Sequence, residues 1–250
     1  MLREETVFGP IRSRRLGRSL GINLLPQKGK ICNFDCIYCE CGWNKDGKDD
    51  QSLPTALDVR RALEDKLAEL MLEDVKIDSI TFSGDGEPTL HPEFDRIVED
   101  VIKLRDAFYP NAKISVLTNA TRLNDEKVVQ ALKKVDNPIL KLDAATLAGV
   151  QSINRPTFPY DLEQVLSGME QFDGEFILQT MFLRTADFDS TAPDMLELWM
   201  EAVRRIQPRE IQCYSIDRPT PEKEIEKISA DQIRKAVKPL MEEGFVMSIY

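Results

Sequence analysis

Four of the five cysteines of this chain, Cys32, Cys36, Cys39 and Cys41, fall within ten residues. The segment Cys32-Asn33-Phe34-Asp35-Cys36-Ile37-Tyr38-Cys39 carries the spacing C-x3-C-x2-C. Thiolates are soft ligands, and three on one short loop can converge on one inorganic centre: an iron–sulfur cluster, zinc or copper(I). Three ligands to a cubane leave one iron open, and an open position is what metal-centred chemistry requires. A disulfide framework would spread its cysteines to close long loops, so bridging is the poorer reading. Zinc with Cys41 as fourth ligand is the alternative. It lacks the second C-x2-C pair of zinc ribbons, and a Cys39–Cys41 chelate with one intervening residue is cramped.

A loop of this kind needs a scaffold, and the hydrophobic pattern supplies one. β-rich runs at 20–25, 79–83, 113–117, 139–142, 176–182 and 210–215, with a short one at 245–249, alternate with amphipathic stretches. The helical stretches are 56–72, 92–108, 126–134, 162–172, 194–206 and 230–243. In 56–72 the apolar positions Leu57, Val59, Leu63, Leu67 and Leu70 suit one helix face. Such alternation implies a parallel sheet with right-handed crossovers. Six units suggest an α/β three-quarter barrel, with an open doubly wound sheet as the alternative. Both fold types place binding residues at the carboxyl ends of strands. No Pro/Gly/Ser-rich linker divides the chain. Residues 1–250 read as one domain, its cluster loop (32–43) followed by a polar, mobile loop (44–54).

The cysteine spacing, with Tyr38 directly before the third cysteine and the loop following the first strand, resembles the signature loop of the radical S-adenosylmethionine (SAM) superfamily. After the second strand, Ser83-Gly84-Asp85-Gly86-Glu87-Pro88 is similar to that family's Gly-Gly-Glu motif, with Asp85 in place of the first glycine. The resemblance implies a partial (β/α)6 TIM-like barrel and a [4Fe–4S] cluster on Cys32, Cys36 and Cys39. It also implies SAM bound near Tyr38, Gly84, Asp85, Gly86 and Glu87, with motif carbonyls and the Glu87 side chain receiving the methionyl ammonium. The reaction it implies is one-electron cleavage of SAM to a 5′-deoxyadenosyl radical that takes hydrogen from a substrate, with a flavodoxin- or ferredoxin-type electron donor as partner.

Other polar residues sit at or inside the later strands. Asn119 ends the third strand and is a candidate SAM support, or an Asx-turn residue. Asp143 ends the fourth and would accept ribose hydroxyls, or cap the next turn. Gln179 and Thr180 interrupt the apolar fifth strand and need partners, from a cofactor or from neighbouring side chains. Cys213 reads as a buried small hydrophobe; facing the pocket, it would be a hydrogen-atom donor. His91, the only histidine, reads as structural beside a helix start, and without a second one His-based triads and metal sites fail. Trp43 reads as packing over the loop, and Cys41 as packing beside it.

The segments Phe8-Gly9-Pro10, Ser13-Arg14-Arg15-Leu16-Gly17-Arg18-Ser19-Leu20-Gly21-Ile22-Asn23 and Ile153-Asn154-Arg155-Pro156 are similar to Fe–S oxidoreductases related to the wybutosine-synthesising tRNA enzyme. That enzyme uses a second cluster, and here Cys41 and Cys213 are too few and too scattered to hold one. The chain is acidic, with 43 Asp and Glu against 33 Lys and Arg for a net charge of −10. Broad nucleic-acid binding is therefore disfavoured, but Arg12, Arg14, Arg15 and Arg18, followed by Lys28 and Lys30, form a local basic patch. The patch suits RNA or an acidic electron donor. A nucleotide or RNA base is thus one substrate class, a protein partner of a glycyl-radical-activase-like enzyme a second, and a non-catalytic Fe–S or zinc protein the remaining reading. No apolar run is long enough for a bilayer and the first residues lack a signal-peptide core, so a cytoplasmic protein is expected.

Overall fold

The computed structural model describes residues 2, 5–47 and 51–250; residues 48–50, part of the expected mobile loop, lie outside the described residues. The chain groups into two compact units. The first comprises Met1–Cys32, Asn44–Thr118 and Asp125–Pro138, the second Asn33–Trp43, Asn119–Asn124 and Ile139–Tyr250.

In the first unit β1 (Val7–Ser13) and β2 (Gly17–Ile22) form an antiparallel hairpin, to which β3 (Ser79–Phe82) and β4 (Lys113–Thr118) add in parallel. The register sets Leu20 beside Ile80 and Ile80 beside Ile114, all fully buried. β1 is absent from the sequence expectation. Gly9 and Pro10 break its alternation and fall where the register shifts between Phe8 and Ile11, as expected of a residue that cannot donate to a ladder. β2 ends at Ile22, short of Leu25, because Asn23 turns its side-chain oxygen onto the Leu25 N–H (3.1 Å).

α1 (Ala56–Leu72) starts where Thr55 and Asp58 form a capping box. It buries Val59, Leu63, Leu67 and Leu70, but Leu57 is 47 % exposed, since a spacing of two places it off the face that the others share. α2 (Phe94–Phe108) begins two residues later than expected. Its approach is set by His91, whose Nδ1 accepts the Glu93 N–H (3.1 Å), so that Nε2 carries the proton toward the Pro54 carbonyl (2.8 Å). The lone histidine is a structural one.

Beyond α3 (Glu126–Lys133), Asp136 gathers Arg105 Nη1 (2.8 Å), the Ile114 N–H (2.9 Å) and Lys113 Nζ (3.0 Å). Partial burial pushes its carboxyl up, but these donors outweigh burial and hold the pKa below the ordinary value. A folded-state pKa below the unfolded one, about 3.9, gives stability that is complete above that value and lost as pH falls through the folded one. Asp136→Asn is therefore expected to cost about 1–3 kcal/mol at pH 7 and much less at pH 3, as measured by urea unfolding at both pH values.

In the second unit β5 (Asn137–Lys141), from Ile139 onward, pairs in parallel with β6 (Ile177–Met181). After the two-residue β7 (Leu183–Arg184) the unit continues with β8 (Glu210–Tyr214), β9 (Glu226–Lys227) and β10 (Met247–Ile249). β8 lies parallel between β6 and β10, while β7 and β9 form a small antiparallel ribbon. The helices are α4 (Leu147–Ile153), α5 (Leu162–Glu170), α6 (Pro193–Ile206), α7 (Ala230–Ala236) and α8 (Lys238–Glu242). α4 goes beyond the sequence expectation; Thr146 caps it by accepting the Gly149 N–H (3.0 Å). α7 and α8 replace the single expected helix, broken at Val237 ahead of Pro239, which has no N–H for the helix ladder. Among the described residues no helix is long and apolar enough to cross a membrane.

Candidate functional site

The turn after β3, Ser83 to Pro88, is held from within the first unit. Asn23, fully buried, accepts the Asp85 N–H (3.1 Å) through Oδ1 and donates through Nδ2 to Asp85 Oδ2 (3.3 Å). Ile31 lies alongside: its N–H donates to the Asp85 carbonyl (3.1 Å) and its own carbonyl accepts the Glu87 N–H (3.0 Å). Glu87 is buried, and its Oε1 accepts from the Thr89 N–H (3.1 Å), the Thr89 hydroxyl (2.6 Å) and the Thr118 hydroxyl (2.7 Å). These donors fix the position of the Glu87 side chain, whose carboxyl oxygens can accept from a bound cation. Gly86 has φ +140°, and a Cβ there would stand 1.8 Å from the Ile31 carbonyl oxygen. Gly86→Ala is thus expected to push the turn off Ile31 and destabilise the protein by about 1–3 kcal/mol, checked by urea unfolding against wild type.

Of the cysteine triad, Cys32 closes a stretch of the first unit, where its carbonyl accepts from Asn44 Nδ2 (3.1 Å). Cys36 and Cys39 lie in the second unit on successive turns, with Cys39 N–H donating to the Cys36 carbonyl (3.1 Å) and Gly42 N–H to that of Cys39 (3.0 Å). The loop is braced by the segment just after α4. Phe34 bridges Pro156, Asp35 N–H donates to the Asn154 carbonyl (2.9 Å), Ile37 N–H to that of Ile153 (3.0 Å), and Thr157 N–H to that of Asn33 (2.9 Å). Arg155 places its guanidinium 5.1 Å from the Trp43 ring centre. The Asn33 side chain completes the brace, accepting from Asn119 Nδ2 and donating to the Thr121 hydroxyl, both at 2.7 Å.

Behind Cys36 lies a network of buried polar groups centred on Asp143. Its Oδ2 accepts from the Tyr38 hydroxyl and from Asn154 Nδ2 (2.7 Å); its Oδ1 accepts the Met181 N–H (2.8 Å) and pairs with Lys141 Nζ (3.3 Å). The Lys141 ammonium also donates to the Tyr214 hydroxyl (2.8 Å) and sits 5.1 Å from the ring centres of both Tyr38 and Tyr214. Burial pulls its pKa down, but Asp143 and Tyr214 outweigh burial and keep it above the ordinary lysine value, so the ion pair persists at neutral pH. Burial, and then the Asp143 charge, push the Tyr38 phenol up. Tyr214 OH in turn donates to Gln179 Oε1, and Gln179 Nε2 to Gln212 Oε1, each at 3.3 Å.

The sequence-nominated residues thus divide. Tyr38 and Asp143 meet directly, beside Cys36. Gln179 joins them through Tyr214 and Lys141. Asn119 is an Asx-type turn residue, its Oδ1 accepting from Thr121 N–H (3.1 Å) and hydroxyl (2.7 Å), and it also holds the cluster loop through Asn33. Cys213 pairs in register with Thr180, on the face opposite Gln179, Gln212 and Tyr214. Thr180 Oγ1 accepts there from Trp199 of α6 (3.2 Å), and burial alone pushes the Cys213 thiol up. Lys30, nominated with the basic patch, is buried; Arg12, Arg14 and Arg18 are exposed, with Arg12 and Arg18 opposed across the β1–β2 hairpin. Asn23 and Asn154, each inside a segment that carries the resemblance, and Lys141 are contributors whose roles emerge only from the structure.

Among the described residues no group of three or more His, Cys, Asp or Glu side chains stands as ligands to a single metal ion. In a cubane each thiolate takes its own iron, so convergence on one ion is not what a cluster requires. The donor chemistry fits a cluster. All five cysteines are outside disulfides. Burial pushes the Cys36 thiol up to about 11 while the Asn154 amide pulls the other way. A thiol in that setting becomes a thiolate when a metal supplies the compensating charge.

The comparisons with known proteins agree. The sequence profile of the Radical SAM superfamily matches residues 27–198. A UPF0026 protein of Synechocystis is 37 % identical over 224 residues, covering 86 % of this chain and 77 % of its own. Among solved structures, a radical SAM methyltransferase from Sphaerobacter thermophilus superposes with a TM-score of 0.69 at 14 % identity. It covers 92 % of this chain, which spans 65 % of it, just under two thirds. An archaeal TYW1 superposes at 0.56 with 15 % identity, covering 90 % of this chain and 72 % of its own. These likenesses show the fold, the α/β partial barrel expected from strand–helix alternation. With more than half its length matched by the family profile, the chain belongs to the radical SAM superfamily.

Proposed function

We propose that this protein is an enzyme that cleaves SAM reductively at a [4Fe–4S] cluster ligated by Cys32, Cys36 and Cys39, and takes hydrogen from a nucleotide or RNA base. The carrying observation is a C-x3-C-x2-C loop, inside the region matched by the family profile, whose segment 33–37 is fixed by backbone hydrogen bonds to residues 153–157. When bound, cluster and SAM supply a one-electron cleavage of the sulfonium and a carbon radical able to remove hydrogen from an unactivated C–H bond. This chain's residues supply the rest. Glu87 offers its buried carboxylate, and the Gly84–Gly86 backbone its close approach, to the methionyl ammonium. Tyr38, Asn119, Asp143 and Gln179 form the remaining cofactor-side set. Anaerobic reconstitution followed by reduction in the presence of SAM is expected to yield 5′-deoxyadenosine and methionine; a reconstituted, reduced protein that releases neither would refute the reading.

The substrate class rests on the hairpin. Arg12 and Arg18 stand directly opposite in register, an arrangement that costs stability unless an anion lies across it. A phosphate backbone is such an anion. Binding of RNA that weakens steeply with salt, and weakens further in the Arg12→Ala, Arg18→Ala double variant, is the expected result. Salt-insensitive or absent binding would move the proposal to a protein partner. A flavodoxin- or ferredoxin-type donor and a reducing, cytoplasmic setting complete the reading, since the thiols must stay reduced.

A further inference from the structure

The backbone of Ile153-Asn154-Arg155-Pro156 braces the cysteine loop, yet its asparagine side chain makes a contact that no backbone brace requires. Asn154 is 2 % exposed. Its Nδ2 lies 2.7 Å from Asp143 Oδ2, 2.9 Å from the Tyr38 hydroxyl and 3.4 Å from Cys36 Sγ. Asp143 Oδ2 accepts here while its Oδ1 pairs with Lys141 Nζ (3.3 Å), so the amide nitrogen, not the oxygen, faces this group. Two N–H bonds then serve three acceptors. The sulfur receives a weaker, shared hydrogen bond, held in place because Asp143 and Tyr38 anchor the same nitrogen.

We propose that Asn154 is a positioning residue that sets the reduction potential of the cluster, by donating an N–H to the sulfur of Cys36. This rests on the reading that Cys36 ligates a cluster. An N–H aimed at a ligand sulfur favours the more negatively charged, reduced state and so raises the potential. The arrangement also explains why one residue carries both roles. Its backbone carbonyl accepts the Asp35 N–H (2.9 Å), so loop position and sulfur hydrogen bond are coupled through a single side chain and its own peptide. The buried pair of Asp143 and Lys141 serves it by fixing the amide's orientation from behind.

The test uses the anaerobically reconstituted full chain without SAM. In Asn154→Leu, similar in volume but without donors, an EPR-monitored redox titration should show the potential moved to a more negative value with iron content retained. In wild-type protein labelled with 15N only in asparagine, the reduced cluster should show a hyperfine coupling to an asparagine nitrogen, and that coupling should vanish in Asn154→Leu. An unchanged potential in a variant that holds its cluster overturns the proposal. So does the absence of 15N coupling in wild type, a measurement that stands even where the variant fails to fold. Failure of wild-type protein to assemble any cluster overturns the function reading instead, so the two are separable.

Discussion

Cys36→Ala protein, reconstituted anaerobically with iron and sulfide, is expected to show no cluster absorbance and to release 5′-deoxyadenosine from SAM only at background. Cys32→Ala and Cys39→Ala should behave alike. The expectation is severe because the proposed cluster has only three protein ligands, and losing one leaves two irons without a thiolate. The Asn154 amide nitrogen, 3.4 Å from Cys36 Sγ, is no soft anion and cannot take the place of a lost thiolate. Cys41→Ala is the discriminating control. It should keep both cluster and SAM cleavage, whereas a zinc knuckle with Cys41 as fourth ligand would lose its metal with any of the four. Iron, sulfide and zinc analysis on the four variants reads the outcome directly. Retention of iron by the three triad variants would remove the triad assignment.

Much of this was legible in the chain, and the rest was hidden for identifiable reasons. The bounds expected for α1 match to the residue, because Val59, Leu63, Leu67 and Leu70 repeat at helical spacing. The parallel strands were found because buried apolar runs separated by amphipathic helices have few other solutions. β1 was missed because its bulge at Gly9–Pro10 interrupts the period of two. α4 was missed because seven residues carry too little periodicity to register, leaving only Thr146 as an N-cap signal. The cysteine loop announced itself by spacing, and the Gly84–Glu87 turn by its resemblance to the family's Gly-Gly-Glu motif. Their supports did not. Asn23, Asn154 and Asn33 act through contacts made far along the chain, and an asparagine alone does not say whom it will meet. Lys141 was the exception that could have been caught: a lysine within Ile139-Leu140-Lys141-Leu142 is out of place in an apolar strand unless an anion waits for it, and Asp143 does.

That anion carries the second large expectation. Asp143→Ala is expected to destabilise the protein by about 3–5 kcal/mol, because it leaves the Lys141 ammonium, its side chain only 16 % exposed, without its counter-charge. The hydrogen bonds lost with it, each worth about 1 kcal/mol net, are the smaller part. Adding Lys141→Met should therefore restore much of the loss, since a buried pair replaced by apolar groups of similar size is often near neutral. Urea unfolding of the two single variants and the double variant should give a coupling within the range of about 0.5–3 kcal/mol seen for residues in direct contact; additive losses would mean that Lys141 does not depend on Asp143. The same geometry sharpens what Asp143 can do for a cofactor. A carboxylate offers about four acceptor sites on its two oxygens, and here Tyr38, Asn154, Met181 and Lys141 supply donors to them. A ribose hydroxyl would have to displace one of these donors. If Asp143 acts chiefly by holding Tyr38, Asn154 and Lys141 in place, Asp143→Asn should weaken SAM binding only as far as it loosens that network. Tyr38→Phe, which releases one acceptor site while keeping the ring, should leave binding intact or strengthen it. Equilibrium binding of SAM to both variants separates a residue that touches the cofactor from one that builds the ground beneath it.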